Sequence, residues 1–441
     1  MDTDDMGTYD FVGIGFGPSN LSLAAALRDA SSSDASPVRG HFFEAQPSFG
    51  WHRNMLLPSA KMQVSFLKDL VTFRNPHSRF SFVSYLHEMN RLPQFANNND
   101  FFPTRREFHQ YLEWVAGHFA DSVTYGARVT GIEPICGGAT AGPHDRFRIT
   151  IASGKDALAT TRVEAYNVVL ATGLTPRMPE GSVRDDRVWH SSEFLERFGS
   201  CSSASLRRVA VVGAGQSAAE IARFCYDHAP NATISAILPS YGYSIADNTP
   251  FANRVFDPGA VDDYYFSDPL GKDRLWESHR NTNYSVVDDE VIRSLFQRQY
   301  DDEVRGVERL QIINLARVAN IKRSGDETRV TIHSLARDEH FDLDVDVVVC
   351  ATGYEAMGAD GVLAGLDAFC PRDDRGRHRV ERDYRLITTD DLTAGIYLQG
   401  GTEHTHGLTS SLLSNLATRS GEIASSLRSS RRVGSAGGDR W

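Results

Sequence analysis

Apolar and polar positions fall in blocks along the chain, and one order of blocks occurs twice. YDFVGIGFG is a short apolar run that ends on glycines. PSNLSLAAALRDA carries small and apolar residues at helical spacing, SSSDASPVRG is polar, and HFFEAQ is apolar again. That order predicts strand, glycine turn, helix, loop and strand, a β-α-β unit. SLRRVAVVGAGQSAAEIARFCYDHA repeats strand, turn and helix about 200 residues later, and ATISAILPS supplies the following strand. Two more apolar runs, NVVLATGLTP and DVVVCATGYE, end alike on Ala-Thr-Gly. Glycine after a strand lets a ligand approach the backbone, although either copy alone reads as an ordinary strand-terminating turn.

The first glycine turn holds Gly13, Gly15 and Gly17, and Pro18 stands where a GxGxxG fingerprint has its last glycine. Proline suits the first turn of a helix. Such a turn brings backbone N–H groups and a helix N-terminus to a diphosphate. Glu44 ends the second strand, where an acidic side chain would take a ribose hydroxyl; the polar loop explains its 29-residue spacing from Gly15. The second turn, Gly213-Ala-Gly215-Gln216-Ser217-Ala218, is a GxGxxA variant. Its following strand ends on neither an acidic residue nor an arginine, so this stretch leaves NADPH against NADH open. Two such units predict an α/β fold with two Rossmann-like domains, FAD in the first and a nicotinamide in the second. The expected division is 1–204 and 341–424 for the FAD-binding domain, 205–340 for an inserted NADPH-binding domain carrying substrate segments, and a disordered Ser/Gly/Arg-rich tail over 425–441.

Composition narrows this little. The 441 residues carry a formal charge of -11, which argues against nucleic acid as a partner and is compatible with a cationic small substrate. Five cysteines at 136, 201, 225, 350 and 370 form no CxxC, which speaks against a disulfide reductase, a redox dithiol or a zinc cluster. His404 and His406, at i and i+2 without a carboxylate, are expected to be structural, with no metal. No apolar stretch suits a secretory signal or a membrane span, so a cytoplasmic protein is expected.

A general flavin monooxygenase and an amine N-hydroxylase then remain. The segment SFGWHRNMLLPSAKMQVSFLKDLVTFRNPHSRFSFVSYLHEMNRL resembles the microbial N-hydroxylating monooxygenases, the ornithine and lysine hydroxylases of siderophore biosynthesis. The resemblance continues through FFPTRREFHQYLEW, VAVVGAGQSAAEIA, NTPFANRVFDP, NTNYSVVD, ATGY and HTHGLTSSLLS, from about residue 10 to 424. Its first segment is most similar to the ornithine hydroxylases.

The resemblance implies FAD- and NADPH-dependent N-hydroxylation of L-ornithine by O2 through a flavin hydroperoxide, with lysine or a diamine as the alternative substrate and a catalytically silent flavin-binding protein as the rival class. It implies substrate contacts at Gln63, Lys68, Asn253, Asn283, Ser410 and Leu413. Trp51, His52, Gln63, Ser410 and Leu413 would border FAD. Arg105, Thr282, Asn283 and Ser285 would join Gly213, Gly215, Gln216 and Ser217 around NADPH. Lys68 would bind the amino-acid carboxylate as a point charge, although a lysine in a short amphipathic segment is more often simply solvated. Gln63 and Asn283 would assist a reaction whose chemistry the flavin carries. The family's arginine for the nicotinamide phosphate is absent here, where Pro239 and Ser240 stand; NADH use is therefore open. A homo-oligomer, dimer or tetramer, is expected.

Overall fold

The computed structural model describes residues 8–31, 37–136, 142–154, 159–356 and 360–436. The elements that place the site are, in chain order, β1 (Phe11–Ile14), α1 (Pro18–Ser31), β2 (Gly40–Glu44), α2 (Arg105–Gly117), β3 (Val123–Tyr125), β4 (Asn167–Leu170), β5 (Val188–His190), β6 (Arg208–Val212), α3 (Gln216–His228), β7 (Thr233–Ile237), α4 (Asp289–Arg305), β8 (Leu310–Ile313), β9 (Val347–Cys350), β10 (Gly395–Leu398) and α5 (Leu416–Ala436).

β1, β4, β9 and β10 are buried along their whole length, which is why their sequences run apolar without alternation. They belong to two parallel five-stranded sheets, ordered β10-β4-β1-β2-β3 and β8-β7-β6-β9-β5. In each, the strand before a glycine turn is central (β1 and β6), and strands lie on both sides of it. Ligands of such sheets bind beyond the carboxyl ends of the strands where the order reverses.

Each sheet buries one face under helices and the other under a three-stranded antiparallel meander. The first meander spans 127–135, 146–153 and 159–165, and the second 316–324, 327–334 and 339–345. The cores follow this division. Phe11, Phe42, Leu21 and Leu23 pack with Phe108 and Leu112 of α2 and Ile423 of α5, whereas Val12, Ile14 and Val168 pack with Phe147 and Ile149 of the meander. Val209, Val211, Ile221 and Leu295 form the helical core of the second sheet, and Ala210, Val348, Val330 and Ile332 its meander core.

The two Ala-Thr-Gly ends meet. The residues that follow them, Leu174–Pro176 and Tyr354–Ala356, pair as an antiparallel ribbon, with Tyr354 opposite Pro176. Arg177 fastens it by donating from Nε and Nη2 to the Thr352 carbonyl, at 3.1 and 2.8 Å.

Two expectations are corrected. The second sheet is wider than the block 205–340, because β6 pairs with β9 and β9 with β5; parallel strands need partners on both sides to satisfy their amides. The tail is not disordered from 425: α5 continues to Ala436, because Leu427 is buried and Ser426 bonds Asp383 Oδ2 at 2.6 Å and the Tyr397 hydroxyl at 2.8 Å. Residues 437–441 lie outside the described residues. Among the described residues no helix is long and apolar enough to cross a membrane.

Candidate functional site

The first glycine turn is shaped by what surrounds it. Gly15 adopts φ +85°, and a Cβ there would stand 2.4 Å from the carbonyl oxygen of Ala171, the alanine of the first Ala-Thr-Gly. A Cβ on Gly13 would enter the Phe42 ring, whereas one on Gly17 would meet nothing within 4 Å. Pro18 is the first residue of α1. Both Glu44 oxygens are engaged by backbone amides, Phe16 N at 2.6 Å and Gln46 N at 2.8 Å, so this carboxylate sits at the end of β2 and pins the turn. Asn20 Nδ2 donates to the Gly15 carbonyl at 2.7 Å. A fixed turn, open space over Gly17 and the free N–H groups of a helix start make a cradle that fits a dinucleotide diphosphate.

The second turn repeats the joint. Gly213 has φ +138°, and its Cβ would stand 2.4 Å from the Ala351 carbonyl oxygen of the second Ala-Thr-Gly. Ser285, itself left-handed at φ 58°, lies beside Gly215. Asn283 is half-buried and Ser285 exposed on the same segment. Thr282, in contrast, is buried and donates its hydroxyl to the His279 carbonyl at 2.6 Å, so that hydroxyl is turned into its own turn.

A polar chain crosses between the two units. Gln216 Oε1 accepts from Asp288 N, and Gln216 Nε2 donates to Asp288 Oδ2 and to Glu220 Oε1, each at 2.9 Å. Gln63 Nε2 reaches Asp288 Oδ1 at 3.4 Å. Arg105 closes the chain on Glu220 with two 2.9 Å bonds and donates to the Met55 carbonyl at 2.7 Å. Burial raises the Asp288 carboxyl above its ordinary range. Gln63, Met62, Gln216, Glu220 and Asp288 line a cavity of about 150 Å³ at this junction. No sequence reading singled out Asp288 or Glu220. Asp288 reads as a helix cap before α4, and only the placing of Glu220 among alanines and isoleucine in SAAEIA hints at a buried charge with a partner.

Lys68 is not on a helix. Residues 61–81 form successive turns, and the neighbouring Asp69 holds them: its carboxylate accepts from Val71 N, Thr72 N and Phe82 N at 2.7–2.9 Å and from Thr72 Oγ1 at 2.9 Å. Lys68 is half-buried, its ammonium makes no hydrogen bond or ion pair among the described residues, and Nζ lies 5.5 Å from the Phe256 ring centroid. Burial lowers its ammonium pKa, against a smaller raising effect of Asp257. Phe256 ends the turn Ala252–Phe256 that carries Asn253. The turn Leu408–Ser411 packs against it and brings Ser410 to the same region. The Ser410 hydroxyl is already used, accepting from Thr402 N at 3.0 Å and sharing a 2.5 Å bond with Thr402 Oγ1.

Trp51 and Leu413 border the aromatic core that contains Phe16 and Phe108. His52 is exposed, left-handed at φ 49°, with its ring 4.6 Å from Trp51 and 6.5 Å from Tyr354, the residue after the second Ala-Thr-Gly. His404 and His406 are each held by a backbone carbonyl: His404 Nε2 donates to the His378 carbonyl at 2.7 Å, and His406 Nε2 to the Arg382 carbonyl at 3.2 Å. The structure thus gathers Gln63, Arg105 and Gln216 in one network, and Lys68, Asn253 and Ser410 on adjoining turns.

The family described as L-lysine 6-monooxygenase/L-ornithine 5-monooxygenase matches residues 7–356. The L-ornithine N(5)-monooxygenase of Pseudomonas aeruginosa is 36% identical over 435 residues, 97% of this chain and 95% of that protein. The structure of the Kutzneria sp. 744 ornithine N-hydroxylase, with reduced FAD, NADP+ and L-ornithine, superposes with a TM-score of 0.92 at 58% identity, over 97% of this chain and 100% of the other. L-lysine 6-monooxygenase from Pseudomonas syringae superposes with a TM-score of 0.83 at 30% identity, over 96% of this chain and 99% of that one.

Proposed function

The chain belongs to the L-lysine 6-monooxygenase/L-ornithine 5-monooxygenase family, and we propose that it hydroxylates the side-chain amine of L-ornithine with FAD, NADPH and O2. The observation that carries the substrate reading is Lys68: a half-buried ammonium without an ion-pair partner among the described residues, on a turn fixed by Asp69, facing the turn of Asn253.

A buried ammonium without a counter-charge favours an incoming carboxylate. Gripping the carboxylate at Lys68 fixes how far the other end of the substrate reaches, and so which chain length brings its amine to the flavin. A diamine leaves Lys68 unpaired and forfeits that contact. The Asn253 and Asn283 amides each donate and accept, which suits the zwitterionic head group at one end and the amine at the other. The amine must lose its proton to react, and withdrawal from water beside apolar side chains such as Trp51 and Leu413 would favour the neutral form. Bound FAD, reduced by NADPH, supplies the oxygen activation. Gln63 and Gln216, both held by Asp288, set the flavin side and the nicotinamide side of the site against each other.

NADPH is the favoured reductant on the family relation, although Ser240 spends its hydroxyl on the Gly242 carbonyl at 2.7 Å where a phosphate-reading arginine would serve. A homo-oligomer is supported by α4, which exposes Phe296, Tyr300 and Val304 at four-residue spacing. The substrate test is NADPH oxidation by FAD-loaded protein with L-ornithine, L-lysine or putrescine, alongside a hydroxylamine assay. Hydroxylamine from ornithine alone supports the reading. Product from lysine or putrescine moves the substrate, and bound FAD without product from any amine leaves a flavin-binding protein.

A further inference from the structure

Arg419, on the third residue after Leu416 in α5, is 2% exposed. Its guanidinium makes no ion pair with a carboxylate among the described residues. All its acceptors are neutral: Gln399 Oε1 at 3.4 Å, the Thr409 carbonyl at 3.5 Å, the Ser410 carbonyl, and Ser19 Oγ at 3.3 Å. Burial lowers its pKa, while Tyr384, Glu403 and Glu422 act on it only from a distance. A buried cation without a counter-ion is a costly arrangement, and proteins rarely retain one unless an anion completes it.

The neighbours show where that anion belongs. Ser19 is the second residue of α1, directly after Pro18, beside the open space over Gly17. Gln399, which accepts from Arg419, donates to the Ser19 carbonyl at 3.0 Å and to Asn20 Oδ1 at 3.3 Å, and Asn20 in turn holds the Gly15 carbonyl. Arg419 therefore stands behind the dinucleotide cradle and ties it to the turn of Ser410. We infer that Arg419 is the buried counter-charge of the bound cofactor: a positioning residue whose cation is balanced only when the diphosphate of FAD occupies the first glycine turn. This rests on FAD binding at that turn.

The assignment separates charge from hydrogen bonding. FAD dissociation constants are measured on apoprotein of wild type, R419K, R419Q and R419M, with the melting temperature of each apoprotein. The inference expects R419Q and R419M to bind FAD at least about tenfold more weakly, since charges are poorly screened in a low dielectric. It expects R419K to stay near wild type, and the two neutral apoproteins to melt no lower than wild type. Equal weakening in R419K and R419Q would assign the effect to the guanidinium fork and overturn the inference, as would FAD binding within twofold in all variants. If the variants do not fold, wild-type apoprotein gives the answer: inorganic pyrophosphate should raise its melting temperature, and no shift sinks the idea. Wild type that binds no FAD at all would instead remove the functional reading itself.

Discussion

Arg105 and Glu220 face each other through two parallel hydrogen bonds of 2.9 Å, joining the start of α2 in the first half of the chain to the helix behind the second glycine turn. The Glu220 side chain is 1% exposed and that of Arg105 12%. Removing one member leaves the other buried without its partner, which costs about 3–5 kcal/mol. Arg105→Met should lower the urea midpoint accordingly, and the double variant with Glu220→Leu should recover much of the loss. A single variant that unfolds at the wild-type midpoint would show that this pair does not hold the units together.

Lys68→Ala should raise the ornithine KM by about tenfold or more, the worth of one charge-assisted contact to a carboxylate. The effect on kcat at saturation should be smaller, because the lysine grips the end of the substrate away from the reaction. Putrescine, which has no carboxylate, should be used equally well by variant and wild type. Steady-state hydroxylamine formation with both substrates checks this.

The two glycine turns should fail separately. Gly15→Ala meets the Ala171 carbonyl at 2.4 Å and needs φ +85°; it should cost ~2–4 kcal/mol and leave protein without its yellow cofactor. Gly213→Ala meets Ala351 in the same way, yet should retain flavin and lose reduction by NADPH. Absorbance and anaerobic reduction traces distinguish the two.

His406 gives the fold a predictable acid limb. Its ring is 1% exposed and stacks on Tyr384 at 4.0 Å, and burial lowers its pKa to about 3, with the Arg382 and Arg419 charges adding to this. Between that value and 6.5 the unfolded chain takes up a proton that the folded chain refuses, so this contribution is complete above 6.5 and lost as pH falls. The slope is about 1.4 kcal/mol per pH unit, or ~2 kcal/mol between pH 6.5 and 5. His406→Asn should lose correspondingly less stability than wild type over that range in urea titrations.

Ser240→Arg should raise the ratio of kcat/KM for NADPH over NADH, by about tenfold if one guanidinium–phosphate contact forms. An unchanged ratio would place phosphate reading elsewhere on the chain.

The strands, the glycine turns and Glu44 were legible because backbone constraints write themselves locally: a buried parallel strand must run apolar, and a turn with φ +85° selects glycine. The role expected for Lys68 came only from family resemblance. Its neighbours in sequence suggested a solvated amphipathic face, and what half-buries it, Phe256, lies 188 positions away. Asp288 and Glu220 were not legible, since each is defined by partners from distant segments. The extent of the second sheet was missed for the same reason: β5 and β9 join it from outside the block whose periodicity announced it. The tail misled because Ser, Gly and Arg dominate its composition, while Leu427 packs into the core and Ser426 bonds Asp383.

The topology also fixes an order of assembly at the ribosome. The second sheet has all its strands once residue 350 has been synthesised, whereas the first, begun at residue 11, lacks β10 until 398 and the covering helix until beyond 416. The unit that starts first is finished last. During that interval the edge of β4 that awaits β10 is an unpaired apolar strand, an open invitation to pair with another nascent chain.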